Sequence, residues 1–295
     1  MTVAISSTFD SGNIEVLDAC DPANIKLHIR ADAGGEHLQW FHFRVAGAAG
    51  QPLVMNIENA GKCSYPKGWE GYRACVSSDR QTWTRVDTAY RDGVLTIRHT
   101  PDHDVVWVAY FAPYSHERHQ DLIARCQMSP LATVDRLGAS VDGRDIDRVR
   151  IGTGAGRTIW VIARQHPGET MAEWWMEGFL GRLLDPHDPT ARQLREAATF
   201  HVVPNMNPDG SARGHLRCNA VGANLNREWL TPTMTRSPEV LLVRDAMDKT
   251  GVDLCLDVHG DEALPYNFIA GSEGIAAWGP RMAGLQHQFL AAYML

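Results

Sequence analysis

The stretch TIWVIARQHPGE, Thr158 to Glu169, decides the fold. Its first half is a nearly unbroken apolar run of strand length, the pattern of a strand buried on both faces. A helical stretch follows from about residue 169 to 184. Strand running into helix is half of a βαβ unit, so the sheet here is expected to be mixed, mainly parallel, and covered on both sides. Downstream the alternation continues, with a short helix near 190–197, a strand at 200–204, a helix over 238–249 and a strand over 253–259. Ser237 suits the cap of the 238 helix and Pro238 its first position. Upstream, residues 115–127 read as a connecting helix.

Before about residue 114 the texture is different. In NIKLHIR (24–30), Ile25, Leu27 and Ile29 alternate with polar residues, and in WFHFRV (40–45) Phe41, Phe43 and Val45 do the same. Five more short runs, PLVMNI, YRACVS, TWTRVD, VLTIRH and VVWVAYF, are separated by turn formers, with SSDRQ as a hairpin turn. Many short strands without a helical period predict an antiparallel β-sandwich. The expected organisation is an N-terminal β-sandwich over 1–116 and an α/β domain over 117–295. GTGAG (152–156) precedes a strand instead of following one, so it is expected to be a turn between strands and not a dinucleotide site.

Composition narrows the function. A net charge of −7 disfavours nucleic acid and anionic membrane as partners. No stretch approaches the roughly 20 apolar residues of a spanning helix, and the start lacks a basic-then-apolar leader pattern. The six cysteines are scattered without a C-x-x-C pair, which fits free thiols in a reducing compartment. A cytoplasmic protein is expected; oligomeric state is not legible.

His166 and Glu169 lie where a sheet strand ends, the place at which open α/β sheets bind ligands. The strand DLCLDV ends the same way, in His259-Gly260-Asp261-Glu262. Two imidazoles and one carboxylate leave a coordination position open, the pattern of a catalytic zinc site. A lone His-x-x-Glu more often means an exposed His beside a helix-start carboxylate; the second strand-terminal His is what favours a metal. Asp257 shares a strand face with His259 and could orient its imidazole. Asn205, Asn207 and Asp209 read as turn scaffold.

Four motifs in order, HPGE (166–169), NPDG (207–210), NLNRE (224–228) and DVHGDE (257–262), resemble the zinc carboxypeptidase family, nearest its cytosolic carboxypeptidase branch with the bacterial members. A leading β-sandwich ending in a phrase like YFAPYS is shared with that branch. The resemblance implies one zinc ion per chain held by His166, Glu169 and His259. It implies a substrate carboxylate held by Asn226 and Arg227, and a scissile carbonyl polarised by Arg217. A guanidinium suits a carboxylate because its planar fork binds both oxygens, although isolated arginines are more often surface ion-pair partners.

The family also carries a general-base Glu on a strand well beyond the third ligand, usually with a substrate-contacting Tyr before it. The residues after His259 end in a helical stretch without such a strand, which predicts that the gene product is longer. Glu262 is the nearest carboxylate, but three residues past a ligand it is expected to turn away. Removal of C-terminal residues from peptides or proteins is the leading expectation. An amidase or deacylase of N-acyl-amino acids would use the same ligands. A non-catalytic remnant that binds zinc and peptide would keep them without the base.

Overall fold

The computed structural model describes residues 3–153, 156–264, 266–271, 274–275 and 277–293. The chain falls into two units, Met1–Gly260 and Asp261–Leu295.

The first ten strands are β1 (Ala4–Ser6), β2 (Glu15–Asp18), β3 (Ile25–His28), β4 (His42–Ala46), β5 (Leu53–Ile57), β6 (Cys75–Ser77), β7 (Thr84–Arg85), β8 (Thr88–Arg91), β9 (Val94–His99) and β10 (Val105–Ala109). They form two five-stranded sheets, ordered β1-β4-β10-β6-β7 and β2-β3-β5-β9-β8. Between them lies one apolar core that includes Ile25, Leu27, Phe41, Phe43, Val45, Met55, Ile97 and Val108. The alternation read in the sequence is therefore the inward face. One pairing departs from the antiparallel expectation: β3 and β5 run parallel. The strand between them in sequence, β4, belongs to the other sheet, so the chain crosses over and re-enters in the same direction. His42, expected on an open face, is buried against Phe9 and Trp83. Its Nδ1 meets Ser11 Oγ at 3.0 Å, and burial lowers its pKa to about 3. The SSDRQ turn is built on Asp79, whose Oδ1 accepts from the backbone N–H of Gln81 and Thr82.

Next come α1 (His116–Met128), β11 (Ala132–Ala139), β12 (Asp145–Ile151), β13 (Arg157–Ala163), α2 (Thr170–Leu183), α3 (Pro189–Ala197), β14 (Ala198–Val203), α4 (Pro208–Arg213), α5 (Pro238–Thr250) and β15 (Leu254–Val258). Their sheet has the order β11-β12-β14-β13-β15. β13 pairs parallel with both β14 and β15, whereas β11–β12 and β12–β14 are antiparallel. Among the described residues the sheet is thus mixed in equal parts, not mainly parallel. The hairpin β11–β12 is studded with charges and has no apolar run to betray it.

Successive side chains of β13 explain its apolar run. Val161 and Ala163 face a core made with α1 and α2, while Trp160 and Ile162 face one made with α5. The α5 helix starts at Pro238 as expected, but Ser237 makes no side-chain cap bond. Its hydroxyl, buried, is turned toward Glu228 Oε2 at 3.5 Å. Of GTGAG, Gly152 and Gly156 connect β12 to β13 with positive φ, and residues 154–155 lie outside the described residues.

In the second unit, α6 (Gly279–Tyr293) occupies part of the expected terminal helical stretch. Positions 272, 273, 276, 294 and 295 of that stretch lie outside the described residues. No helix among the described residues is long and apolar enough to cross a membrane.

Candidate metal centre

β13 and β15 are parallel neighbours, with Ala163 opposite Val258. Their carboxyl ends therefore deliver His166 and His259 to the same edge of the sheet. Between strand and helix, Arg164 takes a left-handed backbone, φ 57°, a conformation that costs a non-glycine residue energy unless its surroundings hold it. Its side chain, 1% exposed, is held by three groups. It donates to the carbonyls of Pro167 and Tyr114 and to the Glu173 carboxylate. Gly168 is required where it stands, because a Cβ there would lie 2.9 Å from the Leu216 carbonyl oxygen.

Glu169 sits at the N-terminus of α2 yet makes no capping bond. Its carboxylate meets two imidazoles instead, His166 Nδ1 at 2.7 Å and His259 Nδ1 at 2.8 Å. A donor atom from each of the three lies within 4.8 Å of the others, and among the described residues these three side chains form the group able to hold a metal.

The outer nitrogens are fixed as well. His166 Nε2 lies 3.1 Å from Asn224 Oδ1, and His259 Nε2 lies 2.9 Å from Asp257 Oδ2. Both partners are acceptors, so Nε2 donates in each ring, and with a metal bound each Nδ1 would give up its contact to the carboxylate as a donor and offer its lone pair as a ligand. Asp257 is itself held by Gln165 Nε2 at 2.6 Å, and Gln165 by the Trp229 indole N–H at 2.9 Å. Burial opposes ionisation of Glu169, but the hydrogen bonds and charges of the two histidines outweigh it and hold its pKa at about 2. Burial likewise opposes a charged His259, and Asp257 and Glu169 outweigh it, raising that pKa to about 10. The cluster thus favours positive charge at its centre. Two oriented imidazoles and an ionised carboxylate fit zinc.

Asp257→Ala removes the acceptor that orients His259. Zinc affinity is expected to fall roughly 10- to 100-fold, the usual cost of losing such a partner. A competition titration against a chromogenic chelator measures it, and an unchanged Kd would show that Asp257 does not act on the site.

The three arginine and asparagine candidates are placed differently. Leu216 O accepts from Gly168 N at 2.9 Å, so Arg217 follows directly on a residue bonded to the metal loop. Its guanidinium lies 5.9 Å over the Tyr65 ring. Asn226 and Arg227 lie in a 3-10 turn, Leu225–Arg227, next to Asn224. Arg227 is exposed and donates to the Asn226 carbonyl at 3.0 Å. Asn205, Asn207 and Asp209 are buried scaffold as expected. Asn207 caps α4 and supports the Gln165 carbonyl, and Asp209 accepts from Ser140, Asp142 and Arg144. Glu262 belongs to the second unit.

Sequence reasoning missed Asn224, Gln165 and Trp229. Asn224 opens the NLNRE motif and could have been nominated from it; the other two gave no signal.

Two family models match the chain. One, the cytosolic carboxypeptidase N-terminal domain, covers residues 5–111, and the other, zinc carboxypeptidase, covers residues 121–266. An uncharacterised protein of Zymomonas mobilis is 57% identical over 93% of this chain and 72% of its own length. Mouse cytosolic carboxypeptidase 6 is 28% identical over 92% of this chain, which spans 55% of that protein. The crystal structure of a Pseudomonas aeruginosa metallo-carboxypeptidase in complex with (2-guanidinoethylmercapto)succinic acid superposes with TM-score 0.93 at 46% identity. The match covers 97% of this chain and 77% of that one. The chain belongs to the zinc carboxypeptidases, a family of hydrolases that use one zinc ion, and carries the N-terminal domain of their cytosolic branch.

Proposed function

We propose that this chain hydrolyses the C-terminal peptide bond of peptides or proteins, with His166, Glu169 and His259 holding zinc. The observation that carries the reading is the convergence of both Nδ1 atoms on Glu169 while both Nε2 atoms are tied to acceptors. Bound there, zinc supplies the Lewis acidity that activates water toward a carbonyl carbon. Asn226 and Arg227 hold the substrate's terminal carboxylate, and the exposure of Arg227 leaves its guanidinium available to a ligand. Arg217, carried on the strap bonded to the metal loop, stabilises negative charge developing on the scissile carbonyl oxygen.

In this reading a domain boundary falls between residues 116 and 117, supported by a sandwich core that takes all its buried residues but Leu216 from before it and by two further cores that take all theirs but Tyr114 from after it. The protein works in the cytoplasm, a placement supported by six unpaired cysteines and by the cytosolic carboxypeptidases among its relatives.

The test pairs peptides that differ only in a free or amidated C-terminus, with products followed by mass spectrometry. Loss of single C-terminal residues from the free form alone, abolished by 1,10-phenanthroline and restored by zinc, is expected. Arg227→Ala should raise KM about tenfold or more by removing a charge-assisted bond to the carboxylate. Equal cleavage of the amidated peptide, or turnover that survives metal removal, would sink the proposal.

A further inference from the structure

The residues around Arg217 are held by a distant part of the chain. Asp32, in the N-terminal sandwich region and 3% exposed, receives three consecutive backbone N–H groups on its carboxylate. They come from Leu216 at 2.6 Å, Arg217 at 2.8 Å and Cys218 at 2.8 Å. Three charge-assisted bonds to successive amides, each stronger than a neutral hydrogen bond, fix the path of that segment. The grip continues on both flanks. Asn13 Nδ2 donates to the Gly214 carbonyl at 2.9 Å, and Ala33 N donates to His215 Nε2 at 3.1 Å. Gly34 and Gly222 pack so closely that a Cβ on Gly222 would lie 2.3 Å from the Gly34 oxygen. The Leu216 side chain is part of the sandwich's own apolar core, while its carbonyl accepts from Gly168 in the metal loop.

We infer that Asp32 is a positioning residue for catalysis: by binding the amides of residues 216–218 it sets the Arg217 guanidinium against the reacting carbonyl and registers that arginine to the metal loop. The sandwich is then part of the catalytic apparatus and not an appended binding module. The inference rests on the role proposed above for Arg217. A misplacement of about 1 Å at a charge-stabilising group costs on the order of 100-fold in rate, so the grip on this strap has a kinetic consequence distinct from its contribution to stability.

A double-mutant cycle tests it on the zinc-loaded full-length protein, against whichever peptide it cleaves fastest in a scan of C-terminal residues. Asp32→Asn keeps the shape but places an NH2 group against N–H donors; Asp32→Ser is run beside it as a smaller acceptor. In the native background either replacement is expected to lower kcat roughly 10- to 100-fold with KM and zinc content little changed. In the Arg217→Ala background the same replacement should lower kcat less than twofold, because the group it positions is gone. An equal loss in both backgrounds, or no loss in a folded Asp32 variant, overturns the inference while leaving Arg217's role intact. If neither variant folds, Asp32 serves stability and the positioning claim falls. An Arg217→Ala chain with native kcat overturns the role of Arg217 itself, and the inference with it.

Discussion

His166→Ala is expected to weaken zinc binding by about 10²–10³-fold and to remove turnover with it. Zinc in four-coordinate sites is bound with roughly 10–16 kcal/mol of free energy, so one position of the four carries about 2.5–4 kcal/mol. The loss reaches beyond one donor atom. Glu169 Oε1 and Asn224 Oδ1 both lose their contact with the imidazole, and the Glu169 carboxylate is left with partners on Oε2 alone, His259 Nδ1 and the Gly260 N–H. Metal content after gel filtration, and Kd from chelator competition, measure the effect. His103→Ala, an exposed histidine far in sequence from the cluster, should keep one zinc per chain. Native-like affinity in the His166 variant would remove this residue from the ligand set.

The convergence of the three candidate ligands was legible because each obeys a local rule. His166 and His259 end apolar strands, and parallel neighbours in one sheet must end on the same side. Glu169 is three residues from His166, so the turn that closes the strand brings them together. The strands of the sandwich were legible for a similar reason: Ile25, Leu27, Phe41 and Phe43 alternate with polar residues because one face is buried.

What stayed hidden depends on contacts between distant parts of the chain. Asp32 reaches the segment 216–218 across about 180 positions, and nothing in the neighbourhood of either marks the other. The parallel pairing of β3 with β5 depends on which sheet β4 joins, a choice no local pattern encodes. Ser237 looked like a cap because cap preference is local, but Glu228 drew its hydroxyl away. The β11–β12 hairpin is rich in charged residues such as Asp135, Arg136, Asp145 and Arg148. Its alternation is broken by a register shift between Arg136 and Gly138.

Glu173→Ala should destabilise the fold by about 3–5 kcal/mol, the cost of stripping a partner from buried charges. Glu173 is fully buried and anchors a network directly behind the metal loop. Its Oε1 meets His119 Nδ1 at 2.7 Å, and its Oε2 accepts from Arg164 and, at 3.1 Å, from Asn205. With the carboxylate gone, the Arg164 guanidinium keeps only backbone carbonyls, and the strained turn that presents His166 loses its main anchor. At roughly 2–4 °C of melting temperature per kcal/mol for a chain of this class, the shift is about 10 °C. Replacing both charges, Arg164→Met with Glu173→Leu, should recover part of the loss, because an apolar pair needs no desolvation. The network also sets a pH dependence. Burial alone would depress the His119 pKa, but Asp147 and Glu173 raise it to about 9 from an ordinary 6.5. A folded-state pKa above the unfolded one contributes stability that is complete below about pH 6.5 and lost as pH rises through about 9. That contribution is of order 3 kcal/mol. Urea unfolding of the native chain should therefore show stability declining from pH 6.5 to 9. Glu173→Gln should flatten that decline while lowering stability most at the acid end. A variant with the native pH slope would show that His119 takes its charge from elsewhere, and a Glu173→Ala chain within 1 kcal/mol of native would show the network to be dispensable.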